Sequence, residues 1–140
     1  MEKDTSKILE ELGNFPDFRG FYQENKEYMV SGKLSELLEE LLKTKNLKKS
    51  QVIRNAEIAE IYGYQIFSGV RIPEQKKLLC IAVGMALNIE ETQRLLKCAG
   101  YSQLYVKRPF DSIVLYGLCK KMTVVQINEL LYEYGLETLG

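Results

Sequence analysis

Between Lys48 and Lys77 the chain interleaves cations with neutral hydrogen-bonding side chains: Lys48, Lys49, Tyr62, Gln65, Arg71, Lys76 and Lys77, with Glu60 among them. Ammonium and guanidinium groups suit phosphate oxygens, and Tyr62 and Gln65 can hydrogen-bond a base edge or a phosphate. Glu60 can only accept, as from a cytosine amino group, and it repels phosphate. A lysine pair at a helix start opposes the helix dipole, so a phosphate partner would account for Lys48 and Lys49. The plainer alternative for each of these cations is a solvated helix face.

Other chemistry has little footing. The chain has no histidine, which removes His-containing triads and His-ligated metal sites. Cys80, Cys98 and Cys119 are odd in number, lack a CxxC spacing and sit singly in apolar patterns, as buried reduced thiols do. Asp111 and Glu129 are isolated carboxylates. Tyr101, Tyr105, Lys107 and Arg108 mix aromatic and basic groups, a combination used for nucleic acids, but a tyrosine-bearing loop that caps the core has the same composition. No phosphate-binding glycine loop or dinucleotide fingerprint occurs. The expectation is a protein that is not an enzyme and has no cofactor and no metal.

At 140 residues the chain suits one domain with a real core. No apolar run approaches the roughly 20 residues that span a bilayer. The charged start, MEKDTSKILEELG, lacks a signal peptide's apolar stretch, which predicts a cytoplasmic protein without membrane contact. Formal charge is zero overall but unevenly spread. Residues 1–32 carry four basic and seven acidic side chains, residues 33–108 thirteen and eight, and residues 109–140 two and four. The basic excess therefore falls on the segment that holds the lysine pair, and local potential is what a phosphate backbone feels.

The elements that must position these groups are helices. Leu, Glu, Lys and Ala abound, strand-like alternation is scarce and there are three prolines. No internal repeat is evident. Residues 1–32 read as an N-terminal arm, with a helix over 5–12, a turn at Asn14-Phe15-Pro16 and an aromatic cluster of Phe18, Phe21, Tyr22, Tyr28 and Met29 that packs back onto the domain. Leu34, Leu37, Leu38, Leu41 and Leu42 predict an amphipathic helix over 33–45. Short helices follow over 49–55 and 59–68, the latter stopped by Gly69. Pro73 opens a helix over 73–86 whose buried stripe is Leu78, Leu79, Ala82, Val83, Met85 and Ala86. Asn88 with Glu91 and Thr123 with Gln126 have capping-box spacing and open two more helices. Between these lies a helix over 109–121, carrying Ile113, Leu115, Tyr116 and Leu118.

Two short helices joined by about three residues, inside five, resemble the lambda-repressor-like (Cro/C1, XRE-type) helix-turn-helix domains. The resemblance rests on Leu47-Lys48-Lys49-Ser50-Gln51-Val52-Ile53, Ala56-Glu57-Ile58, Tyr64-Gln65-Ile66-Phe67-Ser68-Gly69, Arg71 and Pro73. It implies an all-α fold: the arm, a helix-turn-helix domain over 33–100, and two extra helices over 101–140 packed on the same core. It further implies that helix 59–68 enters the major groove of palindromic duplex DNA. Lys48, Lys49, Arg71 and Lys76 would hold phosphates, while Glu60, Tyr62 and Gln65 would approach bases. A homodimer through Leu115, Leu118, Ile127, Leu130 and Leu131 would match a twofold operator. Glu57 stands where the family's turn has Gly, so a strained left-handed backbone is expected there. Ala59, at the N-cap position, cannot cap.

The alternative is a protein-interaction module on the same scaffold, an adaptor, antitoxin-like partner or inhibitor. Glu57, Glu60 and the apolar Ile61 on the would-be reading face favour it.

Overall fold

The helical periodicities become nine α-helices and no strands among the described residues, which are 5–25 and 34–140 of a computed structural model. The chain divides into two compact units, Met1–Ser31 and Gly32–Gly140.

The first unit holds α1 (Thr5–Leu12) and α2 (Phe18–Asn25). Asp17 ends the intervening turn, its carboxylate accepting from the Gly20 N–H at 2.8 Å. The rings of Phe15 and Phe18 lie 5.8 and 5.9 Å from Phe21. The expected cluster therefore forms in part, while Tyr28 and Met29 lie outside the described residues, as does the start of the next helix at 33.

The second unit holds α3 (Leu34–Thr44), α4 (Lys49–Asn55), α5 (Glu60–Ser68), α6 (Gln75–Gly84), α7 (Ile89–Cys98), α8 (Pro109–Cys119) and α9 (Val124–Glu133). The leucine stripe of α3 is buried throughout, and each such side chain is worth about 1.5–3 kcal/mol of apolar transfer. At the centre lies α6, with α4, α7 and α9 packed around it. It is consequently buried on every side from Leu78 to Gly84, and a single stripe does not describe it. Ala86 is not part of that core, because it is exposed in the turn that follows. Similarly, Val114 replaces Tyr116 on the inner face of α8.

Helices are joined by a recurring corner. Asn46, Glu57, Ala86 and Lys121 all have positive φ, between 53° and 59°. Each stands two residues before a helix N-cap, with an apolar residue between: Leu47, Ile58, Leu87 and Met122. In three corners that apolar residue's N–H reaches back to the carbonyl five residues earlier, at 2.8–3.0 Å. The left-handed residue reverses the chain, and the buried side chain after it pins the next helix. The strain expected at Glu57 is present, with φ at 59°.

Both capping boxes form, with Asn88 and Thr123 accepting from Glu91 and Gln126 N–H groups. They belong to an internal repeat, which corrects the reading that none is evident. The pair α6–α7 and the pair α8–α9 share corner, cap, Leu-Leu and terminal glycine: Asn88, Glu91, Leu95-Leu96 and Gly100 match Thr123, Gln126, Leu130-Leu131 and Gly135 at constant offset.

Two boundaries differ from the pattern. Helix α6 starts at Gln75 with Glu74 as N-cap, while the Pro73 carbonyl accepts from the Tyr101 hydroxyl at 2.6 Å. Helix α8 ends at Cys119, since Lys121 turns left-handed. A small residue at Ala56, expected where α4 and α5 cross, marks a different crossing. A Cβ on Gly63 would lie 2.7–2.9 Å from Ile53, so this glycine is where α5 meets α4. Ala56 instead faces Gly84 of α6.

Candidate functional site

Helix α5 is held at the surface by its inner residues Gly63, Ile66 and Phe67, all buried. It begins without a side-chain cap at Ala59, and its C-cap is Gly69, at φ 85°. That left-handed glycine lets the N–H of Val70 return to the Gln65 carbonyl at 2.9 Å. Helical spacing then sends Glu60, Ile61, Tyr64, Gln65 and Ser68 outward. Together with Lys49 they line a shallow depression of about 450 Å³. A second depression of about 260 Å³ lies on the α4 side, lined by Ser50, Ile53, Arg54, Ile58, Glu60 and Tyr64.

The residues singled out from the pattern separate into three groups. Glu60 and Gln65 lie on the outer row of α5. Lys48 and Arg71 are exposed, with no ion pair among the described residues. The other three are engaged internally. Lys49 pairs with Glu39 at 2.8 Å and lies 5.7 Å from the centre of the Phe67 ring. Lys76 pairs with Glu137 and lies 5.9 Å from the Phe110 ring. Tyr62 is half-buried against the core, one helical step away from the outward row.

Three outward residues escaped the linear reading: Tyr64, Ser68 and Arg54. The signal for the first two was present, because Ile61, Tyr64, Gln65 and Ser68 follow i, i+3, i+4 and i+7. Arg54 closes the last turn of α4, where its guanidinium donates to the Gln51 side chain at 3.4 Å. Just beyond α5, Val70 and Ile72 are 73% and 75% exposed, and Ile61 is 76% exposed. Isolated aliphatic groups are ordinary at a surface, and these three lie at the two ends of α5.

The loop after α7 is tied down on several sides. Tyr101 binds Pro73, the Gln93 amide exchanges two hydrogen bonds with Leu104 at 2.7 and 2.8 Å, and Asp111 accepts from the Tyr105 N–H at 2.8 Å. The loop therefore caps the core through Tyr101, and Asp111 has the partner that its isolation in sequence concealed.

The leucines expected at a dimer surface are mostly interior. Leu115, Leu118, Ile127 and Leu131 are all buried, because they join α8 to α9 and to the core. What those helices present outward is a groove of about 650 Å³ lined by Pro109, Ile113, Tyr116, Leu130, Tyr134 and Leu136. Among the thiols, burial pushes Cys80 up to about 11 against the pull of Lys77, and burial also raises Cys98. Cys119 is exposed, which departs from the expected buried thiol.

No helix among the described residues is long and apolar enough to cross a membrane. Compared with protein-family models, curated proteins and solved structures, the chain matches none.

Proposed function

We propose that this chain is a lambda-repressor-like helix-turn-helix protein that binds duplex DNA, with α4 and α5 as the motif and α5 as the recognition helix. One observation carries the reading. A left-handed corner at Glu57 stands α5 on the surface with its inner side locked in the core and its whole outer row free. A B-DNA major groove is about 12 Å wide and admits such a helix.

Lys48, Arg54 and Arg71 flank the row and serve the phosphates. The basic excess over residues 33–108 supports that role. Lys49 and Lys76 buttress α5 and α6 through their ion pairs and contribute through long-range potential. The proposed role is one of binding rather than catalysis. A twofold dimer on a palindromic site would use the outward groove between α8 and α9.

The test is an anisotropy titration of labelled duplex with the full chain across salt concentrations. Binding is expected, with log K falling against log salt at a slope of about −2 to −3 per protomer, for two or three phosphate partners each. A flat titration at low salt would reject the reading.

A second reading has its own observation. Ile61 at the start of α5 and Val70 and Ile72 beyond its end are highly exposed aliphatic side chains, and Glu57 and Glu60 add acidic charge near Ile61, a composition suited to a protein partner. A protein complex that survives high salt, is lost in Ile61→Asp and leaves duplex unbound would select it.

A further inference from the structure

The outward row of α5 has an uncommon make-up for a surface that reads bases. It offers Glu60, Ile61, Tyr64, Gln65 and Ser68, with neither Lys nor Arg among them. The cation at its edge, Lys49, is committed to Glu39 at 2.8 Å and sits over Phe67. Guanine shows two acceptors, N7 and O6, in the major groove, and the commonest partner for that edge is an Arg or Lys side chain. The row therefore lacks the group best suited to guanine. Glu60, an acceptor only, would add repulsion toward its edge.

What the row offers matches other bases. Ile61 is 76% exposed in the first turn and carries only methyl and methylene groups. In the major groove the one apolar feature is the thymine C5-methyl. Gln65 carries a donor and an acceptor side by side, the complement of adenine N7 and N6. Ile61 and Gln65 are four residues apart on the same face, about 6 Å along the axis. Base pairs rise by about 3.4 Å, so these two side chains address pairs one or two steps apart.

Resting on the assignment of α5 as the DNA-facing helix, we infer that the half-site it reads is A·T-defined, with Ile61 against a thymine methyl and Gln65 against an adenine one or two steps away. Specificity then comes from apolar contact and a neutral amide, and cations serve only the flanking phosphates.

The experiment uses the full chain and synthetic duplexes selected from a random pool. The selected half-site is expected to hold thymine and adenine at this spacing and no guanine contact at its centre. Replacing that thymine by deoxyuridine removes one methyl and keeps the base pair. Affinity should fall about fourfold, the value of one buried methyl-sized group. In Ile61→Ala the same replacement should have no effect, while an unchanged melting temperature shows that the exposed substitution leaves the fold intact. Duplex binding that is indifferent to deoxyuridine, or a selected site centred on guanine, would overturn this inference and leave the DNA-binding assignment standing. Failure to bind any duplex at low salt would overturn both.

Discussion

The ammonium of Lys121 donates to the carbonyl of Ala86 at 2.9 Å, so that one left-handed corner residue holds another. The corner between α6 and α7 is thereby tied to the corner between α8 and α9. The same end of the unit carries Lys45, beside the corner between α3 and α4, paired with Glu91 at 3.1 Å.

That contact separates two effects at Lys121. Lys121→Ala loses the hydrogen bond and keeps the left-handed backbone, so it should cost about 0.5–1.5 kcal/mol. Lys121→Gly also loses the bond but releases the backbone strain, about 1–2 kcal/mol for a non-glycine residue, less the entropy that glycine gains when unfolded. The glycine variant should therefore be the more stable of the two in urea denaturation. Equal midpoints would mean that the corner stores no strain.

Glu91 gives a pH dependence of known sign. Burial alone would raise its pKa, but the Asn88 N–H and the Lys45 ammonium outweigh it and hold the carboxyl below 4.5. A carboxylate depressed in the folded state contributes stability that is present above pH 4.5 and lost as pH falls through the folded value. Thermal melts from pH 6 downward should show that loss below about 4.5, and Glu91→Gln should flatten it. Asn88→Ala, which removes the reciprocal cap, should cost about 1 kcal/mol at neutral pH.

Gly84 tests the packing of α6 against α4. A Cβ there would lie 2.8 Å from the Val52 carbonyl oxygen, 2.9 Å from the Ala56 nitrogen and 3.1 Å from the Ala56 Cβ. Helix propensity alone would favour alanine by about 1 kcal/mol. The two nearest of these atoms are backbone, however, and the Ala56 Cβ is fixed to it, so none can rotate away and overpacking of about 1–3 kcal/mol wins. Gly84→Ala should lower the melting temperature and loosen α4 against α6, read as faster amide exchange in α4.

Charge reversal tests the proposed DNA-binding role of α5. Glu57→Lys and Glu60→Lys should each strengthen non-specific duplex binding several-fold at low salt and steepen the salt slope by about one. Lys121 shows that lysine is accommodated at a left-handed corner, so the first change should leave the fold intact. No change in either affinity or slope would place the duplex away from α5.

Local grammar was the legible part of this sequence. Capping boxes and the Gly69 stop depend on neighbours within a few positions, so the linear pattern reveals them; the left-handed residue at Glu57 was expected only from the family resemblance, and its counterparts at Asn46, Ala86 and Lys121 were not expected. The face of each helix was less legible where packing is many-sided. With α4, α7 and α9 around it, α6 has no polar stripe to read. The fate of the cations was not legible at all. Lys76 meets Glu137 across 61 residues, and only the assembled fold brings them together. Tyr62 and Tyr64 differ by two positions on a short helix with little amphipathic contrast, so exchanging their roles needs only a small error in register.

The four corners also bear on how the chain reaches its structure. Each is closed by contacts within a few residues, and each turns the chain from one helix into the next before any distant segment arrives. Chains dominated by such local contacts fold in microseconds to milliseconds. The principal late event is the return of the C-terminal segment. There the Leu139 N–H donates to the Asn128 side chain at 2.7 Å, and the Leu139 carbonyl accepts from the Cys80 thiol, 59 residues away. Helix pairs should thus assemble first, with the terminal strap latching onto a core already in place.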